Sequence, residues 1–281
     1  MYSMTLPWTP RYGVCSWSLR PASVDELLDR VRACGLAAVQ LALVPVVEDP
    51  VRWGDAIDRL RDRGIAILSG MLATVGEDYS SIDSIARTGG VRPDATWPAT
   101  LARAEAVARI AGRHGLGLVT FHAGFLPHDR GDPERRRMID RLAAVADVFA
   151  EHGVRVAFET GQEPAETLVE ILHELADQRC GVNFDPANMI LYGSGDPIAA
   201  LERLAPWVAQ VHLKDALPSG VPGVWGREVA LGAGAVDWPR FFAALSRCPQ
   251  RPDLIVEREA GEERVEDVRR AMALGLGATT G

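Results

Sequence analysis

The sequence predicts an α/β fold, a single (β/α)8 TIM barrel spanning residues 1–281. Three observations lead there: eight apolar runs of strand length recur along the chain, helical patterns separate them, and no break in composition divides it. Length alone leaves one domain or two, because a barrel of this kind uses about 250 residues as a single domain. Strict alternation of strand and helix points to a parallel sheet, and eight units favour a closed barrel over an open doubly wound sheet. An open nucleotide-binding sheet fits poorly, since the first strand runs into Gly13-Val-Cys-Ser-Trp-Ser and no G-x-G-x-x-G or Walker sequence occurs.

Strands are expected at 12–16, 38–43, 65–71, 118–122, 154–159, 182–185, 208–213 and 254–257. After the first, Val24, Leu27, Leu28 and Val31 follow helical spacing, with Ser23 and Glu26 as a capping box and Gly35 as a stop just past Cys34. The third helix should end at His114-Gly115. The fourth carries Met138, Leu142, Val145, Ala146 and Phe149 and should end at His152-Gly153. Leu168, Ile171, Leu172 and Leu175 lay a further stripe on the sheet. Two long connections, 72–97 and 214–236, follow strand C-termini, the face of a barrel where long loops serve as lids or substrate walls.

Apolar residues make up 47% of the chain and charged ones 24%, the balance of a globular protein. A net charge of −8 with interspersed signs disfavours attraction to nucleic acid or anionic lipid. The run from Ala37 to Val47 is broken by Gln40 and Pro45 and is too short to span a bilayer. Residues 1–11 lack the basic start and apolar stretch of a signal peptide, so the default expectation is cytoplasmic. Cys15, Cys34, Cys180 and Cys248 show no paired spacing and read as small buried apolar residues.

Five of the expected strands end in an ionisable or metal-binding side chain: His122, Glu159, Asp185, His212 and Glu257. Apolar strands rarely carry charge in line, because an unpaired buried carboxylate is costly. In a barrel these groups converge on one mouth, where three carboxylates need a cation to offset their repulsion. Two Glu, one Asp and one His suit one divalent ion, Mn²⁺ first, with Mg²⁺, Co²⁺ or Zn²⁺ as alternatives. No thiolate is offered, which argues against a structural zinc.

Glu159-Thr-Gly-Gln-Glu, Asn183-Phe-Asp-Pro-Ala-Asn-Met, Val211-His-Leu-Lys-Asp and Leu231-Gly-Ala-Gly-Ala-Val-Asp-Trp resemble, in order, motifs of the xylose-isomerase-like barrel superfamily. The nearest branch is the sugar phosphate isomerase/epimerase group. The resemblance implies a metal held by Glu159, Asp185, His212 and Glu257 and a ketose or keto-sugar substrate. It also implies a metal-stabilised enediolate, with Glu159 and Glu257 moving the proton next to the carbonyl. Carboxylates on both faces of one carbon give epimerisation, a proton moved between carbons gives isomerisation, and a leaving group β to the carbonyl turns the same chemistry into elimination. The chain departs from the pattern at Asn188, where many relatives carry histidine, and at Ala233, where a glutamate is usual.

Other residues have two readings each. His122 is either a buried histidine beneath the site or a substrate contact. Asp185, in Asp-Pro-Ala-Asn, could be a helix N-cap, but capping does not explain three further ionisable strand ends. The resemblance implies that Lys214 and Asp215 shape the pocket, with Lys214 contacting a substrate oxygen; read alone, both could be simple loop charges. Arg227 could bind a hydroxyl or phosphate, although an arginine in such a loop is more often solvated. Trp17, Met71, Phe125 and Trp225 either wall the pocket or serve packing. His114 and His152 sit in the last turn of a helix, where a partial positive charge favours the dipole, His173 lies within a helix and His128 in a polar loop, and none of the four is a site candidate. A lyase or dehydratase acting on a keto-sugar or 3-keto-glycoside is the main alternative. An AP-endonuclease-like DNA enzyme and a non-catalytic sugar-binding subunit rank lower. Homo-oligomerisation is left open.

Overall fold

The computed structural model describes residues 6–176, 179–221 and 223–279, so residues 1–5 of the stretch read for a signal peptide lie outside the described residues. Its strands are β1 (Tyr12–Cys15), β2 (Ala38–Ala42), β3 (Ala66–Met71), β4 (Leu118–Phe121), β5 (Arg155–Glu159), β6 (Cys180–Phe184), β7 (Val208–Leu213), β8 (Asp215–Leu217), β9 (Arg227–Val229) and β10 (Asp253–Val256). Eight of them close into a parallel barrel in the order β1-β10-β7-β6-β5-β4-β3-β2. The eight expected strands are all present, with ends moved by a residue or two. Ser16 opens a 3-10 turn instead of ending β1, and His122, Asp185 and Glu257 each stand one residue past their strands.

Helices sit where apolar spacing and caps place them. Ser23 accepts the Glu26 N–H at the start of Val24–Ala33, but the Glu26 carboxylate reaches the Ala22 N–H, so the box closes one residue early. The helices Trp97–Arg113 and Pro133–Ala150 run out before Gly115 and Gly153, both with positive φ. The long 72–97 connection contains a short helix, Ile82–Thr88, capped by Ser81. It is pinned against the end of β4 at Gly90, where a Cβ would lie 2.1 Å from the Ala123 carbonyl oxygen. The 214–236 connection folds into the antiparallel hairpin β8–β9. Among the described residues no helix is long and apolar enough to cross a membrane.

Strand alternation produces two apolar regions. Outward residues such as Val39, Phe158, Val182 and Leu254 join the large core between barrel and helices, whereas Cys15, Ala38, Leu68 and Ile255 form a small plug on the inner face. Above that plug the interior turns polar. Gln40, Ser69, Thr120, Asn183, Gln210 and His212 are buried and bonded to one another across strands. The same period of two carries Asn183 to Asp185, Gln210 to His212 and Ile255 to Glu257, so the ionisable side chains continue the inner face upward.

Candidate active site

At the C-terminal mouth, Glu159, Asp185, His212 and Glu257 each present one ligand atom within 4.8 Å of the others. All four are buried. His212 Nδ1 lies 3.3 Å from Glu159 Oε1, 3.3 Å from Glu257 Oε2 and 3.7 Å from Asp185 Oδ2. Its Nε2 stands 2.7 Å from Gln40 Oε1, which can only accept, so Nε2 carries a proton. Burial opposes a charge on the ring, but Glu257 and Glu159 outweigh it and hold the imidazole well above the usual histidine range, so without an ion Nδ1 is protonated too and a bound cation would displace that proton.

Two buried atoms in this cluster, His212 Nδ1 and Asp185 Oδ2, have no hydrogen-bond partner. Orphaned buried donors and acceptors are costly, and here both face the same gap between carboxylates. A divalent cation fits that gap. Glu159, Asp185 and Glu257 bring three negative charges, and Lys214 is shared between Glu257 and Glu259, so a divalent ion would offset a negative excess that the protein leaves in the gap. The donor set of oxygens plus one imidazole suits Mn²⁺ or a similar ion.

The geometry leaves Asp185 free for two roles at once. Its Oδ1 accepts the Ala187 and Asn188 N–H groups at 2.8 and 2.9 Å and caps the helix Pro186–Tyr192, while Oδ2 is left for the gap. Thr160 Oγ1 accepts the Asp185 N–H at 2.8 Å and holds the turn. Capping and ligation are therefore not alternatives, because a carboxylate has an oxygen for each.

The two glutamates are anchored differently. Glu159 accepts from two neutral amides, Asn188 Nδ2 at 2.9 Å and Asn183 Nδ2 at 3.3 Å. Glu257 accepts from the Trp17 indole at 2.7 Å and the Lys214 ammonium at 2.9 Å. Burial opposes the Glu257 charge, but Lys214 and His212 outweigh it and hold the group well below the usual carboxylate range. Glu159 is lowered too, with His122 and His212 overcoming burial. Burial dominates at Asp185 and pushes it up to about 6 despite Lys214.

A cavity of about 710 Å³ opens above this cluster. Trp17, Met71, His122, Asn188, Trp225 and Glu257 line it. His122 Nε2 is 3.8 Å from Glu159 Oε2, which puts the ring on the cavity wall beside the carboxylate. Asn188 links Glu159 to Lys214, accepting from the ammonium at 3.3 Å. The three N–H bonds of Lys214 go to Glu257, Glu259 and Asn188. Arg227 is not brought to the site. It is exposed on β9, and its neighbour Glu228 faces the cavity instead. Phe125 packs behind the wall, 5.6 Å from the Tyr192 ring, and Ala233 is exposed.

Several residues escaped the sequence reading. Gln40, Asn183 and Gln210 could have been found, since each is a polar residue inside an apolar strand, two of them two positions before a strand-end ligand. Tyr192 lies one helical turn beyond Asn188 and lines the same cavity. Glu77 and Tyr79, also lining it, come from the 72–97 connection, where nothing distinguishes them from other loop residues. Cys15 lies beneath the cluster, 3.7 Å from His212 Nε2; burial pushes its thiol up, so it stays protonated and donates to Gln40.

Glu163, in the turn after β5, is buried, and burial pushes its carboxyl up to about 8. In the unfolded chain it would titrate near 4.3. The folded state therefore binds the extra proton between those values, and this group's contribution to stability is full below about pH 4 and lost as pH rises through about 8. Glu163→Gln should remove that loss. Urea unfolding at pH 5 and pH 8.5 should show the variant gaining on the wild type by on the order of 3 kcal/mol at the higher pH. An unchanged difference would remove the burial argument.

A family model described as xylose isomerase-like TIM barrel matches residues 28–274. A xylose isomerase domain protein from Planctomyces limnophilus is 31% identical in sequence, covers 97% of each chain and superposes with a TM-score of 0.84. A solved L-ribulose 3-epimerase, 17% identical with 96% and 95% coverage, shares the fold at a TM-score of 0.71. Over 91 residues the chain is 28% identical to a 3-dehydroshikimate dehydratase from Bacillus anthracis, covering 31% of this chain and 32% of that protein. The chain spans about a third of the length of the curated relatives it matches. With a family model running over most of its length, the chain belongs to the xylose isomerase-like TIM barrel family.

Proposed function

We propose that the protein is a divalent-metal-dependent isomerase or epimerase acting on a ketose or keto-sugar, with Glu159 and Glu257 moving a proton next to the carbonyl. The observation that carries this reading is the pair of differently anchored glutamates around one cation-shaped gap. Glu159, Asp185, His212 and Glu257 would hold the ion, Mn²⁺ first. When bound, it supplies Lewis-acid stabilisation of the negative charge that develops on the carbonyl oxygen.

The protein's own groups account for the proton. Glu257, held in place by the Trp17 indole and the Lys214 ammonium, would take it from carbon as one of the two carboxylates at the gap. Glu159 ends a strand separated from β10 by β7 and β6 in the barrel, so it approaches from another arc and can return the proton. Gln40 fixes the His212 ring, and Trp17 and Asn188 fix the two carboxylates, so little reorganisation is left for the reaction itself.

Elimination is the second reading, favoured by one observation: His122 stands on the cavity wall beside Glu159, where a proton donor to a departing β-oxygen would be useful. A phosphodiester substrate has less support, since four carboxylates line the cavity.

Incubating the Mn²⁺-loaded protein with a panel of ketoses and 3-keto-glycosides in D₂O, read by NMR, separates the outcomes. Deuterium on the carbon next to the carbonyl in a recovered epimer supports epimerisation, and transfer to the neighbouring carbon supports isomerisation. Loss of the β-substituent supports elimination, and no exchange with any substrate contradicts the reading.

A further inference from the structure

The cavity above the cluster has a chemical character that the proton chemistry does not require. Among the described residues, every charged side chain lining it is a carboxylate: Glu77, Glu228, Glu257 and Glu259. The nearby cations are already committed. Lys214 is spent on Glu257, Glu259 and Asn188, and Arg258 donates to Glu228 and Asp267. Arg227 is exposed. A divalent ion in the four-residue set would be outweighed by that set's own three carboxylates and leave no net positive charge for the rest of the cavity. A phosphate or carboxylate held away from the reacting carbonyl would find no unpaired cation among the described lining residues and would lose its hydration without replacement, since Lys214 and Arg258 are already paired with Glu257, Glu259 and Glu228.

The remaining wall is mostly apolar and aromatic, with His122 and Asn188 as its polar side chains near the cluster. The Tyr192 and Trp225 rings pack edge to face with centroids 4.6 Å apart, and Leu191 lines the cavity beside them. Leu191 offers nothing to hydroxyl groups, and hydroxyls buried against it would lose hydrogen bonds to water without replacement. At about 710 Å³ the cavity also lies in the upper half of the range that accepts drug-sized ligands, more than a single hexose requires.

We infer that the site takes an uncharged keto-sugar carrying an apolar substituent, an aryl glycoside being the best fit, with the sugar over the carboxylate cluster and the aglycone against Tyr192, Trp225 and Leu191. This rests on the keto-sugar reading above and narrows it to unphosphorylated glycosides. Trp225 is the specificity-determining residue. It is presented by the chain leading into β9, so the hairpin in the 214–236 connection sets the size of group that fits.

The test is calorimetric binding to the Mn²⁺-loaded protein of methyl 3-keto-glucoside, phenyl 3-keto-glucoside and the 6-phosphate of the methyl compound. The phenyl glycoside should bind about tenfold or more tightly than the methyl one, and the phosphate should weaken binding by about tenfold or more. Trp225→Ala should lose most of the phenyl preference, and Trp225→Phe should keep most of it, with Mn²⁺ affinity unchanged in both. Equal binding of phenyl and methyl compounds, tighter binding of the phosphate, a preference that survives Trp225→Ala, or no binding by any of the three would overturn the inference. Deuterium exchange on the same samples keeps the two claims apart. Binding in the expected order without exchange sinks the proton-transfer reading and supports the pocket assignment; exchange with the order reversed does the opposite.

Discussion

Asp185→Asn is expected to lower Mn²⁺ affinity by about 100-fold or more, beyond what the loss of an outer hydrogen-bond partner costs a metal site, while leaving the fold intact. The variant separates the two jobs of this side chain. Its remaining oxygen can still accept from the Ala187 and Asn188 N–H groups, and Asn caps helices as well as Asp does. The other oxygen, orphaned in the gap and 3.7 Å from His212 Nδ1, is replaced by an amide nitrogen that cannot ligate. Burial already pushes the carboxyl up to about 6, so removing its charge relieves the crowded ion-free cluster. Urea unfolding in EDTA should therefore show the variant as stable as the wild type or slightly more so. In saturating Mn²⁺ the order should reverse, because only the wild type gains about 2.7 kcal/mol at a hundredfold excess over its Kd. Equal Mn²⁺ affinity in the two proteins would remove Asp185 from the site.

Asp215→Ala should destabilise the protein by about 3–5 kcal/mol, a large effect for a residue that reads in sequence as a loop charge. Its carboxylate is buried and accepts from five donors: the N–H groups of Ala216, Gly232, Gly234 and Val236, and the Trp238 indole. All five are left without that acceptor in the variant. Asp215→Asn should also be costly, since an amide puts a donor where donors converge. Gly234→Ala provides an independent check. A Cβ there would lie 2.0 Å from Asp215 Oδ1, so it should loosen the same turn through the opposite partner. Because the turn closes the connection carrying Trp225 and Glu228, thermal denaturation and ligand binding should suffer together, whereas a loss below about 1 kcal/mol would contradict this role.

The barrel was legible because its signals are local and repeated. Strand-length apolar runs, helical spacing such as Val24-Leu27-Leu28-Val31, and caps at Ser23 and Gly35 all agree, and topology then follows from alternation. The converging strand ends were legible for a related reason. A charged residue terminating an apolar run conflicts with burial, and the conflict marks Glu159, Asp185, His212 and Glu257. What escaped were partnerships. Lys214 could be noticed, but that Glu257, Glu259 and Asn188 consume its hydrogens depends on side chains from three segments distant in sequence. Arg227 and Glu228 are adjacent, and only the pairing of β8 with β9 decides which one faces the cavity. Glu77 and Tyr79 reach it because the 72–97 connection packs tightly at Gly90, a contact with no sequence signature beyond one glycine.

The central claim is that one divalent ion, held by Glu159, Asp185, His212 and Glu257, enables these glutamates to move a proton next to a carbonyl. Its most direct test is deuterium exchange into a reactive keto-sugar, measured while Mn²⁺ is titrated into chelator-stripped protein and bound ion is followed by electron paramagnetic resonance. Exchange should rise in proportion to occupancy and saturate at one ion per chain. Exchange that proceeds without bound ion, or full occupancy with no exchange into any keto-sugar, would contradict the account.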